Sequence, residues 1–170
     1  MKAKEIIKVI EDFAPLSIQE SWDNCGLCIG SPEDEVSSVL IGLDCTVELV
    51  DEAIRCGADM IVTHHPLIFS GLKKISPEDM VGAAVIKAVK AGICIYAAHT
   101  SADKVIAGVS GAMAARLGLT DIEILDEDGE GTGLGAVGNL PAPVTAQEAV
   151  SLVKERFSLR MIRTSAPIQG

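Results

Sequence analysis

The sequence predicts an α/β fold, a mixed and largely parallel sheet with helices on its faces. Three short apolar runs, 39–43, 58–63 and 93–98, alternate with segments of helical periodicity, the pattern of βαβ crossovers. Hydrophobic residues make up 48% of the chain but aromatics only 3%, so the core is built from Val, Ile, Leu and Ala, the residues that fill buried parallel strands. A chain of 170 residues buries roughly 70% of the surface it exposes when unfolded. Residues 1–170 are therefore expected to form a single α/β domain.

Each element follows from its local pattern. Residues 4–13 place Ile6, Ile7, Val9, Ile10 and Phe13 at helical spacing against Lys8, Glu11 and Asp12, and Pro15 ends the helix. Residues 21–30 carry Trp22, Asp23 and Asn24 in an ordered turn that runs into a short strand. The run 39–43 ends at Asp44 and reads as a strand buried on both faces. Residues 46–56 form an amphipathic helix that Thr46 or Asp44 can cap and Gly57 stops. A second strand, 58–63, a loop over 71–77, a helix over 79–91 ended by Gly92 and a third strand, 93–98, complete the alternation. A further helix is expected over 103–117.

The acidic stretch Asp121–Glu130 reads as a solvated surface loop. Gly133-Leu134-Gly135-Ala136-Val137-Gly138 fits G-x-G-x-x-G, but Asn139-Leu140-Pro141 cannot open the helix that a dinucleotide fingerprint requires. It reads as a glycine-rich strand. Thr145-Ala146-Gln147-Glu148 is a capping box that starts a helix to about Phe157. Leu159–Arg163 reads as a strand with no closing element after it, so the chain is expected to be the N-terminal part of a longer two-part protein.

A formal net charge of -10 argues against a nucleic-acid surface, which needs clustered Lys and Arg. The N-terminal apolar run is interrupted by Lys8, Glu11 and Asp12, unlike the h-region of a secretory leader. No run approaches the 18 or so apolar residues of a membrane span. The cytoplasm is the expected location, with no membrane and no nucleic-acid partner. Five cysteines, an odd number, fit reduced core thiols better than a disulfide framework. Cys25 and Cys28 form a lone C-x-x-C without the second pair of a zinc site.

The chemistry lies with the three histidines. His64 and His65 follow the second strand in Thr63-His64-His65-Pro66-Leu67-Ile68-Phe69, and His99 follows the third in His99-Thr100-Ser101-Ala102-Asp103. Carboxyl ends of parallel strands are where ligand sites form in open α/β sheets. Asp103, four residues after His99, shares its direction on a helical turn. Imidazole with carboxylate suits Zn, Fe, Mn, Ni or Co, and an aspartate can bridge two ions in a two-metal hydrolytic site. Asp44 is either a helix cap or part of the site. His99 is either a ligand or a group that orients Asp103 or a substrate.

Trp22-Asp23-Asn24-Cys25-Gly26-Leu27, Gly42-Leu43-Asp44-Cys45-Thr46, the His64-His65 motif and Tyr96-Ala97-Ala98-His99-Thr100-Ser101-Ala102-Asp103 together resemble, in order and spacing, the YbgI-like family, whose members carry the name GTP cyclohydrolase I type 2 homologues. The glycine-rich strand resembles that family as well. The resemblance implies two divalent metal ions, with His64, His65 and Asp103 as ligands; His99, Asp44 and Asp23 are expected beside them or in the pocket. It also implies one further His and one Glu from a second half, and assembly as a toroidal homohexamer. Ser101 stands where the family's motif has Asn, which leaves the ligand positions intact.

The implied function is metal-dependent hydrolysis of a nucleotide-like small molecule. The alternative is a non-catalytic metal-binding regulatory or metal-handling protein, and a two-metal phosphoesterase is a third reading. Lys73, Lys74 and Lys104 are the nearest basic residues to the motifs, a thin basis for triphosphate recognition.

Overall fold

The computed structural model of the protein describes residues 1–129 and 131–165. Where the sequence suggests a single domain, the chain divides into two compact units, Met1–Lys104 and Val105–Gly170.

The first unit is built on a four-stranded sheet ordered β1-β4-β3-β2. Its strands are β1 (Gly26–Ile29), β2 (Val39–Gly42), β3 (Met60–Thr63) and β4 (Cys94–Ala97). β2, β3 and β4 are parallel, and β1 is antiparallel to β4. Helices α2 (Val47–Cys56) and α3 (Met80–Ala91) connect the parallel strands. Thr46 caps α2 by accepting from the Leu49 N–H, Asp79 caps α3 from the Gly82 N–H, and Gly57 and Gly92 end them in the left-handed conformation. Thr46, not Asp44, is thus the cap of α2.

Strand alternation divides the core between the two faces of this sheet. Ile61 and Ile95 point to one side, against Val50 and Ala53 of α2 and Ala84, Val85 and Ala88 of α3. Met60, Cys94 and Tyr96 point to the other, against Ala3, Ile6, Ile7 and Ile10 of α1 (Ala3–Phe13). Val9 and Phe13, expected on the inner stripe of α1, are exposed.

β2 is not buried on both faces as its apolar run suggests. It is the edge strand; Leu40 packs on the α2–α3 side, while Val39 and Ile41 share the α1 side with their partners Met60 and Val62 and are exposed. The core on that side centres on β3, β4 and α1.

The helix expected over 103–117 is two helices, α4 (Thr100–Asp103) and α5 (Val109–Leu117). Between them Val105 forms an isolated bridge with Thr132, which diverts the backbone from a helical path. In the second unit, β5 (Thr120–Gly129) and β6 (Thr132–Asn139) make an antiparallel hairpin. The acidic stretch is therefore a strand over all its described residues, Glu130 lying outside them. Its charged side chains are exposed, while Ile122 and Ile124 alternate inward. The glycine-rich segment is the strand the sequence predicts. Thr145 and Glu148 form the predicted capping box of α6 (Ala146–Arg156). Leu159–Arg163 is irregular instead of extended, pairs with no strand among the described residues, and leaves Met161 exposed. No described helix is long and apolar enough to cross a membrane.

Candidate metal centre

The histidines are brought together by strand register. Thr63 pairs with Gly42 on one side and Ala97 on the other. Two residues beyond these paired ends come Asp44, His65 and His99, so the parallel register sets all three at one level of adjacent chains. The pairing persists past the strands, with His64 N–H donating to the Gly42 carbonyl at 3.3 Å, His65 N–H to Leu43 at 3.0 Å and Ala98 N–H to Thr63 at 2.9 Å. The buried Thr63 hydroxyl donates to the His65 carbonyl at 2.8 Å and fixes the bend that turns both imidazoles to the same region.

One ring nitrogen from each of His64, His65 and His99 lies within 4.8 Å of the other two. In each ring Nδ1 is already engaged, His65 with Asp44 Oδ1 at 2.6 Å, His99 with Asp23 Oδ1 at 2.9 Å and His64 with the Ala98 carbonyl at 3.0 Å. Nδ1–H donated to an acceptor leaves Nε2 as the lone-pair nitrogen of a neutral imidazole. Pairing an imidazole with a carboxylate or carbonyl in this way is how proteins orient histidines around a metal. Asp103 Oδ1 stands 3.8 Å from His64 Nε2, held there by α4, whose first turn bonds Asp103 N–H to the His99 carbonyl at 3.1 Å.

Nitrogens about 2.1 Å from one tetrahedral ion lie about 3.4 Å apart. The observed spacing, up to 4.8 Å, fits one ion after the rings close by about an ångström, or two ions sharing the group. The three carboxylates Asp23, Asp44 and Asp103 bias this end of the sheet toward a cation. Lys104, buried beside Asp103 in sequence, is paired with Glu20 at 2.8 Å. The donor set fits a divalent metal.

Asp23 is the residue whose role the sequence shows least. β1 runs antiparallel to β4 with Gly26 opposite Ala97, which carries Asp23 to the level of Thr100. Its side chain is fully enclosed. It accepts from Thr100 N–H at 3.0 Å, from the Thr100 hydroxyl, from His99 Nδ1–H, from Cys25 Sγ at 3.1 Å and from Asn24 N–H at 2.7 Å. Burial alone would raise its carboxyl; the hydrogen bonds from Thr100, His99 and Cys25 outweigh that and hold it well below the ordinary carboxylate range.

Of the residues singled out by sequence, the structure gathers His64, His65 and His99, sets Asp44 and Asp23 behind two of them, and places Asp103 at the edge. The cysteines are free. Cys25 serves Asp23, and Cys28 packs against the core. Sequence reasoning missed a mostly apolar cavity of about 150 Å³ beside His65, walled by Cys45, Val47, Leu67 and Val81. It also missed the exposed pair Trp22 and Phe69, whose rings lie 6.3 and 6.5 Å from that of His99. The adjacency of Trp22 and Phe69 to the two site motifs was the available signal.

The chain and its fold have counterparts among known proteins. A Clostridium acetobutylicum protein named GTP cyclohydrolase 1 type 2 homolog is 37% identical over 166 residues, which are 96% of this chain and 62% of the relative. A Streptomyces coelicolor protein of the same name is 38% identical over 160 residues, 92% of this chain and 56% of the relative. The chain therefore spans less than two thirds of the curated relatives it matches. Among solved structures, a hypothetical protein of Staphylococcus aureus superposes with a TM-score of 0.91 at 28% identity, over 96% of this chain and 66% of the other. Reduced HcgD from Methanocaldococcus jannaschii gives 0.79 at 30% identity, over 91% and 60%, and the ybgI protein gives 0.75 at 26%, over 93% and 61%. The family model described as Duf34/NIF3 (NGG1p interacting factor 3) matches residues 1–169, and the chain belongs to that family.

Proposed function

We propose that this chain supplies the histidine half of a metal centre in a metal-dependent hydrolase that acts on a nucleotide-like small molecule. The observation that carries this reading is the trio of imidazoles with Nδ1 engaged and one nitrogen each within 4.8 Å of the others. His64, His65 and Asp103 are the proposed ligands by family resemblance, and the position of His99 adds it as a candidate. A bound divalent ion would act there as a Lewis acid and lower the pKa of water. Asp44 and Asp23 hold His65 and His99 in the tautomer that presents Nε2. The cavity beside His65 and the aromatic pair beside His99 give a substrate two apolar surfaces. The name shared by the relatives suggests GTP as the first substrate to try. Two ions per chain, a homohexameric assembly and a cytoplasmic setting belong to the same proposal.

A non-catalytic metal-handling role is the second reading. It is favoured by the commitment of Asp23 and Asp44 to imidazoles, which leaves neither free as a general base. Elemental analysis of the purified chain, with and without His64→Ala and His65→Ala, tests the metal centre: retained metal lost in both variants is the expected result. Metal loading with no metal-dependent turnover of GTP or other nucleotides would favour the second reading, and no retained metal would sink both.

A further inference from the structure

We infer that Trp22 and Phe69 form a stacking platform for a planar heteroaromatic ring, placed so that a ligand held at the histidines lays its ring against the indole. Large aromatics in a chain this poor in them are expected in the core, as Tyr96 is. Trp22 and Phe69 are instead 56% and 51% exposed, with ring centroids 5.9 Å apart and tilted by 48°. Each also meets the His99 ring edge-on, at 73° and 74°. The pair is therefore continuous with the imidazole cluster and exposed to solvent. A single exposed aromatic needs no explanation, but two in mutual contact beside a ligand cluster do.

The mount is rigid. Trp22 precedes Asp23, whose enclosed carboxylate ties the turn to His99 and Thr100. Asn24 Nδ2–H donates to the Ile68 carbonyl at 2.6 Å, stapling the Trp22 turn to the loop that carries Phe69. The two segments that carry the rings are thus joined before any ligand arrives, which lowers the entropic cost of stacking on them. Base–aromatic stacking needs only a π face and tolerates different bases, so the class recognised is a planar ring, purine or pyrimidine, joined to a polar group that faces the metal side. This inference rests on the metal-centre proposal for the second half of the ligand, but not for the ring.

Trp22 is the only tryptophan, so its emission reports on this platform directly. The experiment titrates the intact protein with GMP, CMP and ribose 5-phosphate, in EDTA and again with zinc, while zinc content is measured separately. GMP and CMP are expected to quench Trp22 saturably, and ribose 5-phosphate is not. Phe69→Ala should weaken GMP binding roughly tenfold. By calorimetry Trp22→Ala should lose it, while Trp22→Phe, which keeps a ring, retains most of it. Equal binding of ribose 5-phosphate and GMP, or unchanged GMP affinity in both alanine variants, overturns the inference. Zinc retained without any quenching by GMP rejects the platform and spares the metal centre. Quenching in a protein that takes up no zinc when zinc is supplied does the reverse.

Discussion

Replacing Asp23 is the most demanding probe of the site, because stability and metal binding should fail for separable reasons. Its carboxylate is fully enclosed and accepts from five donors. Asp23→Ala strands at least the Thr100 N–H and the His99 Nδ1–H without their acceptor, and each such orphan costs about 1–3 kcal/mol. Together the two orphans cost about 2–6 kcal/mol. Asp23→Asn keeps the shape but not the pattern. Its amide nitrogen must face either Thr100 and Cys25, from which three donors already point, or His99 and Asn24. In the second orientation His99 can relieve the clash by moving its proton to Nε2, the nitrogen that faces the cluster. The Asn variant should therefore lose less stability, about 1–3 kcal/mol, yet bind metal about 10- to 100-fold more weakly. Urea unfolding followed by Trp22 emission gives the first quantity and competition with a chromogenic chelator the second. An Asp23→Ala protein that unfolds within about 0.5 kcal/mol of the parent, the range of an ordinary surface change, would refute the reasoning.

Three further outcomes follow from the same contacts. Zinc at 100 times its dissociation constant should stabilise the protein by about 2.7 kcal/mol, read as a rise of several degrees in Tm that EDTA reverses and His65→Ala abolishes. Burial pushes the Cys28 and Cys45 thiols up to about 11 and about 12, and burial with Asp34 beside it pushes Cys94 up to about 11. These groups are neutral in the folded chain while the unfolded chain ionises near pH 8.5, so their contribution to stability is complete below that value and declines as pH rises toward 11. Thermal melts between pH 8 and 10.5 should fall accordingly, and iodoacetamide at pH 8 should label exposed Cys56 well before these three, as peptide mapping would show. In the second unit, a Cβ on Gly111 would lie 1.7 Å from the Ile106 carbonyl oxygen. Gly111→Ala should destabilise that unit by about 1–3 kcal/mol, and unchanged hydrogen-exchange protection of α5 would contradict this.

What the sequence reveals and what it hides divide along one physical line. Local patterns are legible: the Thr46 and Thr145 caps, the stops at Gly57 and Gly92, and the apolar runs of β3 and β4 all emerge where periodicity and capping place them. Partnerships across the chain are not. Val39–Leu43 is apolar enough for a central strand, and only the order β1-β4-β3-β2 makes β2 an edge with Ile41 exposed. The acidic residues of β5 suggest a loop because charge dominates composition, whereas the hairpin needs only backbone pairing with β6 and the alternation of Ile122 and Ile124. The site lies between these cases. Asp44, His65 and His99 each stand two residues past a register-paired strand end, whereas aligning the three apolar runs at their last residues brings Asp44, His64 and His99 level, one residue short at His65. Asp23 lies 76 residues from His99 and enters through an antiparallel strand, whose direction no local pattern announces. Register is therefore what the centre depends on. A slip of one residue between β3 and β4 would turn Ile61 out of the α2–α3 core and lift His65 away from His99 in one motion. The packing of the core and the geometry of the candidate metal site are thus enforced by the same strand pairing.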